Sequence, residues 1–180
     1  RYTDRKFPEM IKEWEDKCKE AGVNYIALNT EFERSDYQAG INAKPLFIKK
    51  LLDALKAADP ENPKGVLYID GDMWVHKYPT LFDVEDVDFM ARNWNVDPRG
   101  KLRSFEKPYI DPLIFETSGG TMYFGNTPGA RRLLDVWAEV SENPKQEGKA
   151  DDRILSQVFT TRSLVMTINI IGLPIEYLWL

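Results

Sequence analysis

Cysteine and histidine are nearly missing from this chain: Cys18 and His76 are the only ones among 180 residues. A lone cysteine excludes an intrachain disulfide and any multi-cysteine zinc site. Cys18 falls on the apolar stripe Ile11, Trp14, Cys18, Ala21 and reads as a small buried hydrophobe, which leaves the redox compartment open. An excess of base is missing as well. The 29 acids outnumber the 24 bases for a formal net charge of -5, so no broad basic face is expected to neutralise a nucleic acid, and none is expected as a partner. An acidic chain takes an anionic ligand best when a metal supplies the counter-charge. Long apolar runs are lacking too. The longest, residues 167–180, is broken by Asn169, Pro174 and Glu176, so no membrane span is expected in this segment, nor is a signal peptide read at its start.

What is present is enough for one core. At 43% hydrophobic and 12% aromatic content, residues 1–180 are expected to form a single domain, as a portion of a longer chain, with no internal repeat or linker dividing it. An amphipathic helix is predicted over residues 8–21, stopping at Gly22, followed by a strand over 23–28. Residues 29–40 read as a polar connection. Ile48, Leu51, Leu52 and Leu55 mark one face of a second helix ending by Asp59 and Pro60. Residues 65–69 read as a buried central strand running into Asp70-Gly71-Asp72. Further strands are predicted at 87–91, 113–117 and 121–125, with a polar loop over 97–107. Asn126 or Thr127 caps a helix with Pro128 in its first turn and Leu133, Leu134, Trp137 and Val140 on its apolar face. A shorter helix begins at Asp151 with Ile154, Leu155, Val158 and Phe159 inward, and strands at 164–170 and 175–180 close the chain. Alternating elements of this kind imply an α/β sandwich with a mixed sheet, whose ligands gather at the carboxyl ends of strands.

Asp70 to Asp72 stand at such an end. Side chains two apart on a strand share a face, and Gly71 between them is expected to remove steric resistance, so both carboxylates can turn to one cavity. A pair of hard oxygen donors suits Mg²⁺ or Mn²⁺, which take a few carboxylates and keep positions for phosphate oxygens. The competing reading is two acids in a solvated turn, where Asp-Gly is common.

The run VLYIDGDMWVHKYPTLF, residues 66–82, resembles the Asp-x-Asp segment of GT-A fold glycosyltransferases. AKPLFIKKLLDAL at 43–55, TSGGTMYFGNTP at 117–128 and ADDRILSQVF at 150–159 are similar, in order, to segments of nucleotide-diphospho-sugar transferases that include plant-type xylosyl- and arabinosyltransferases. The resemblance spans about residues 23 to 180. It implies a Rossmann-like GT-A sandwich with a mostly parallel mixed central sheet. It also implies a metal-dependent hexosyl- or pentosyltransferase, leaning to retention, that moves a sugar from a nucleotide-diphosphate-sugar donor to a glycan or other hydroxyl acceptor with Mn²⁺ or Mg²⁺. The compartment stays open between cytoplasm and, if an upstream anchor precedes Arg1, Golgi lumen.

Carried over by position, the resemblance makes Asp70 and Asp72 the metal ligands, with Gly71 in the same donor-diphosphate motif, and puts Lys44 near the donor phosphates or sugar. A solvated first-turn lysine is the alternative, since Lys49 and Lys50 suggest a basic outer surface. Ser118, Gly119 and Gly120 match the segment beneath the donor sugar, where glycine lets backbone approach a ligand; a β-bulge or tight turn also calls for glycine. Asp151 and Asp152 match an acidic pair facing the reaction centre, Asp152 being preferred, against the alternative of helix capping. His76 is not read as a metal ligand. Trp94 suits either a sugar platform or core packing. The basic loop over 99–107 reads as solvated rather than as a lid.

The family's first strand, ahead of the first helix, has no counterpart in residues 1–6. Two rivals remain. A haloacid-dehalogenase-type phosphohydrolase also places Asp-x-Asp after an apolar strand, and a non-catalytic sugar-nucleotide-binding module could keep the metal site without turnover.

Overall fold

The computed structural model describes residues 7–27, 37–71, 73–96, 115–160 and 167–178. Helix α1, Phe7–Glu20, ends where Gly22 takes a positive φ of 70° and its N–H returns to the Lys19 carbonyl, a left-handed stop that glycine enters without steric cost. Cys18 is fully buried, as its stripe requires. The strand expected at 23–28 does not form over residues 23–27: Val23 donates to the Cys18 carbonyl of α1 rather than to a ladder, and Ile26 is 60% exposed. Residues 1–6, where a first strand was looked for, lie outside the described residues.

Helix α2, Tyr37–Ala58, begins well before its expected start and carries Pro45 inside it. Its buried face is Ile41, Ile48 and Leu52, and Lys44 falls on that same face at the helical spacing. Four strands follow: β1 (Val66–Ile69), β2 (Phe89–Asn93), β3 (Thr117–Phe124) and β4 (Ile170–Gly172), in the spatial order β1-β3-β2-β4. β3 runs antiparallel to both neighbours and β2 pairs β4 in parallel, so β1, β2 and β4 share one direction and β3 alone is reversed. β1 is therefore an edge of the described sheet, half-buried along its length, not the buried central strand expected.

The two strands expected on either side of Ser118-Gly119-Gly120 are one strand, β3, running through them. The glycines do mark an irregularity. β2 advances from Ala91 to Asn93 while β3 passes from Met122 to Thr117, so residues 118–121 bulge away from regular pairing with β2.

Strand alternation sorts the side chains into two cores. Tyr68, Phe89, Ala91, Met122 and Phe124 face α2, α3 (Pro128–Ser141) and α4 (Asp151–Val158) in the larger one, with Leu133, Leu134 and Trp137 buried among them. Leu67, Met90 and Tyr123 face the other way, onto Leu173, Leu81, Phe82 and Tyr177. The last of these belongs to a 3-10 turn, Ile175–Leu178, where a strand was expected; Pro174 precedes it, and its Tyr177 N–H bonds back to the Pro174 carbonyl.

α3 starts as its sequence demands. Thr127 caps it, accepting from the Ala130 N–H at 3.1 Å, and Pro128 occupies the first turn. Asp88 binds this start to two strands: it accepts from the Thr127 hydroxyl and, at 2.6 Å, from the backbone N–H of Asn169 just before β4.

Candidate functional site

Asp70 follows β1 directly. Its N–H still donates to the Gly120 carbonyl of β3 at 2.9 Å, and its own carbonyl accepts from Met73 at 3.0 Å, so the chain turns away from the sheet at this residue. The carboxylate lies on the helix-facing side, the side of Tyr68 two residues earlier. The Tyr68 hydroxyl donates to Asp70 Oδ1 at 2.7 Å, and Lys44 Nζ lies 3.3 Å from the same oxygen. Lys44 reaches Asp151 as well, and its ammonium stands 4.4 Å from the centre of the Tyr68 ring, a cation-π arrangement. Thus one lysine from α2 joins a strand-end acid to an acid in the first turn of α4 that lies 107 residues after the lysine.

These groups are sheltered: the Lys44 and Asp151 side chains are 13% and 15% exposed, while Asp70, at 37%, opens to solvent. Burial works against the Lys44 ammonium, but Tyr68, the charges of Asp70 and Asp151 and the bond to Asp151 together outweigh it and hold the group charged beyond its ordinary range. Tyr68 is pushed up by burial, with Asp70 adding to the effect and Lys44 opposing it. At neutral pH its hydroxyl is a proton donor, so its help to Lys44 comes from the ring face and not from a phenolate. The solvated-lysine alternative for Lys44 fails on this burial.

Gly119 and Gly120 border the same spot. A Cβ on Gly119 would stand 3.1 and 3.2 Å from the two Asp151 oxygens; one on Gly120 would stand 3.3 Å from Met73 Sδ and 3.8 Å from Asp70 Oδ2. Glycine here leaves room beside both acids. Ser118, 5% exposed, lies in the same bulge. A Cβ on Gly71 would meet nothing among the described residues within 4 Å. Asp72 lies outside the described residues.

The acidic pair of α4 divides. Asp151 joins Lys44, and Asp152 does not. Neither acid is the helix cap: Ala150 occupies that position without a side-chain bond, and Asp151 and Asp152 lie in the first turn. Among the described residues the buried Asp152 Oδ1 atom has no hydrogen-bond partner, and burial raises its carboxyl above the usual range, with the Arg153 N–H opposing the effect and Asp151 adding to it. Its carbonyl accepts from Ser156, whose hydroxyl oxygen accepts in turn from the Thr117 N–H at 3.0 Å, which fixes α4 against the start of β3. His76 is exposed. Trp94 is 37% exposed and held by a 2.7 Å bond from its N–H to the Glu116 carbonyl, so core packing does not account for it. The loop over 99–107 lies outside the described residues.

Tyr68 went unread in the sequence, and Lys44 was placed near the donor phosphates by resemblance alone, with its position on a buried helix face unread. Tyr68 shares a strand face with Asp70, a signal that alternation carries. Lys44 sits on the stripe of Ile41, Ile48 and Leu52, and a lysine on a buried helix face requires a partner.

Among the described residues, no group of three or more His, Cys, Asp or Glu gathers as a ready metal site. Asp70 nonetheless fits a hard divalent cation. Both of its hydrogen-bond donors lie on Oδ1, Oδ2 faces the space left by Gly120, and Mg²⁺-like ions need only one or two carboxylates when phosphates supply the rest. No helix of the described residues is long and apolar enough to cross a membrane.

No family model matches the chain, and no curated protein matches it. Among solved structures it is similar to the crystal structure of a glycosyltransferase involved in the glycosylation of the major capsid of PBCV-1. The likeness covers 96% of this chain and 76% of that one, at 12% identity and a TM-score of 0.60. At that identity it speaks for the fold: this chain has a GT-A-like α/β architecture with a four-stranded mixed sheet, shared with a glycosyltransferase.

Proposed function

We propose that the chain is a glycosyltransferase that moves a sugar from a nucleotide-diphosphate-sugar donor to a hydroxyl acceptor with the help of a divalent cation. The observation that carries the reading is the convergence of Asp70, Lys44 and Asp151 beside Gly119 and Gly120, at the carboxyl end of β1 in a fold shared with a glycosyltransferase. Sugar transfer from a diphosphate leaves negative charge on the departing group, and a site for it needs positive charge, room and acids that do not move. Asp70, with Asp72 by its place in the motif, would hold Mn²⁺ or Mg²⁺, and the bound cation would supply Lewis-acid stabilisation of the departing diphosphate. Lys44 offers a second positive group toward the same phosphates. Gly119 and Gly120 leave backbone open to the sugar. Asp151 stands in the first turn of α4, bonded to Lys44, where its carboxylate could orient a sugar hydroxyl.

A phosphohydrolase of the haloacid-dehalogenase type is less well supported. Asp70 does follow the first strand of the described sheet, but that strand is an edge paired antiparallel with β3, and the solved structure that shares the fold is a glycosyltransferase.

The test is a thermal-shift panel of nucleotide-sugars with and without Mn²⁺, since a ligand bound only to the folded form raises its melting temperature. A metal-dependent rise for one donor class is expected, lost in Asp70→Ala. If no nucleotide-sugar shifts the protein with metal, or Asp70→Ala retains the full shift, the reading is wrong. Release of nucleoside diphosphate from the shifting donor then separates an enzyme from a binding module.

A further inference from the structure

We propose that Lys44 is a built-in rival of the divalent cation at Asp70, weakening the binding of cation alone; this rests on the functional reading above. The ammonium cannot simply swing into water. Its side chain is 13% exposed, its stem runs along the buried face of Ile41, Ile48 and Leu52, the Tyr68 ring lies beneath it at 4.4 Å, and Asp151 holds it from the far side. It keeps its charge, because two acids face it. With Tyr68 and Lys44 both on Oδ1, a cation approaches Asp70 through Oδ2, and normal metal-oxygen lengths of about 2.1 Å then put it on the order of 5 Å from the ammonium. Two positive charges that close repel appreciably even near a surface. An anion arriving with the cation relieves the repulsion by taking the ammonium as its partner, so the site favours cation and phosphate together over cation alone.

Lys44→Met keeps the length and apolar stem of the side chain and removes its charge; Lys44→Gln keeps a donor for Asp151 and serves if the first variant does not fold. Binding of MnCl₂ alone is followed by loss of the free Mn²⁺ signal in electron paramagnetic resonance, which needs no turnover. Both variants are expected to hold Mn²⁺ about tenfold more tightly than wild type, and Asp70→Asn to lose binding. Equal or weaker binding by the Lys44 variants, with Asp70→Asn still deficient, overturns this inference and leaves the cation reading standing. Binding untouched by Asp70→Asn overturns both.

Discussion

Gly119→Ala separates what the site needs from what the fold needs. The added methyl carbon would lie 3.1 to 3.3 Å from the carboxylate atoms of Asp151, nearer than ordinary contact, so the acid must withdraw by a few tenths of an ångström. Asp151 can do so by turning its side chain, at a cost of about 0.5–1.5 kcal/mol for a rotamer displaced by some 30°. Against this, alanine restricts the unfolded chain and returns about 0.4–1 kcal/mol. The net effect on stability is within about 1 kcal/mol, a change in melting temperature of about 3 °C at most for a chain of this size. The bond from Lys44 to Asp151 is disturbed all the same, and metal-dependent donor binding is expected to fall about tenfold, the loss of one charge-assisted hydrogen bond. Gly125→Ala is the counterpart. Its methyl would overlap the Val87 carbonyl oxygen, a backbone atom that cannot turn aside, so a loss of about 3 kcal/mol or more is expected. Differential scanning fluorimetry of both variants, with and without Mn²⁺ and donor, reads both effects. If Gly119→Ala melts as low as Gly125→Ala, or binds donor as well as wild type, Asp151 is not the group that yields.

Thr127→Ala removes the cap of α3 and the hydroxyl that binds Asp88, so urea unfolding should show a loss of about 1–2 kcal/mol, largely restored by Thr127→Ser. Asp152 gives a pH signature. Burial raises its folded pKa above the ordinary 3.8, so its favourable contribution is complete below that value and is lost as pH rises through the folded one. Asp152→Asn should therefore raise the melting temperature at pH 7 relative to wild type, by a margin that shrinks toward pH 3; a margin growing toward acid would contradict the burial argument.

Local rules reached the helices best. The Thr127-Pro128 start of α3 and the left-handed stop at Gly22 are decided within a few residues, and both stand where their chemistry puts them. The strands were harder. Ile175–Leu178 has the apolar content of a strand yet winds into a 3-10 turn, because a strand exists only where a neighbour supplies its hydrogen bonds. The glycines of β3 read as a break, but the strand takes up its pairing with β2 again at Thr117 beyond them and so continues through the irregularity. In the site, Asp70 was visible from the apolar run that delivers it. Its link through Lys44 to Asp151 was not, since no local pattern records which helix start returns to which strand end; that arrangement needed the coordinates.

The reversed strand at the middle of the sheet has a practical corollary for anyone shortening this chain. β4 covers the far side of β2 through Phe89, Met90 and Ala91, and Leu173 seals the smaller core beneath them. A fragment cut at residue 160 would keep all four α-helices and Lys44, Asp70 and Asp151 while baring a row of unpaired amides flanked by Phe89 and Met90. Such a margin invites other chains to stack onto it. Poor solubility of that fragment would then report a lost border strip, and would say nothing against the acids and lysine gathered after β1, at the other edge of the described sheet.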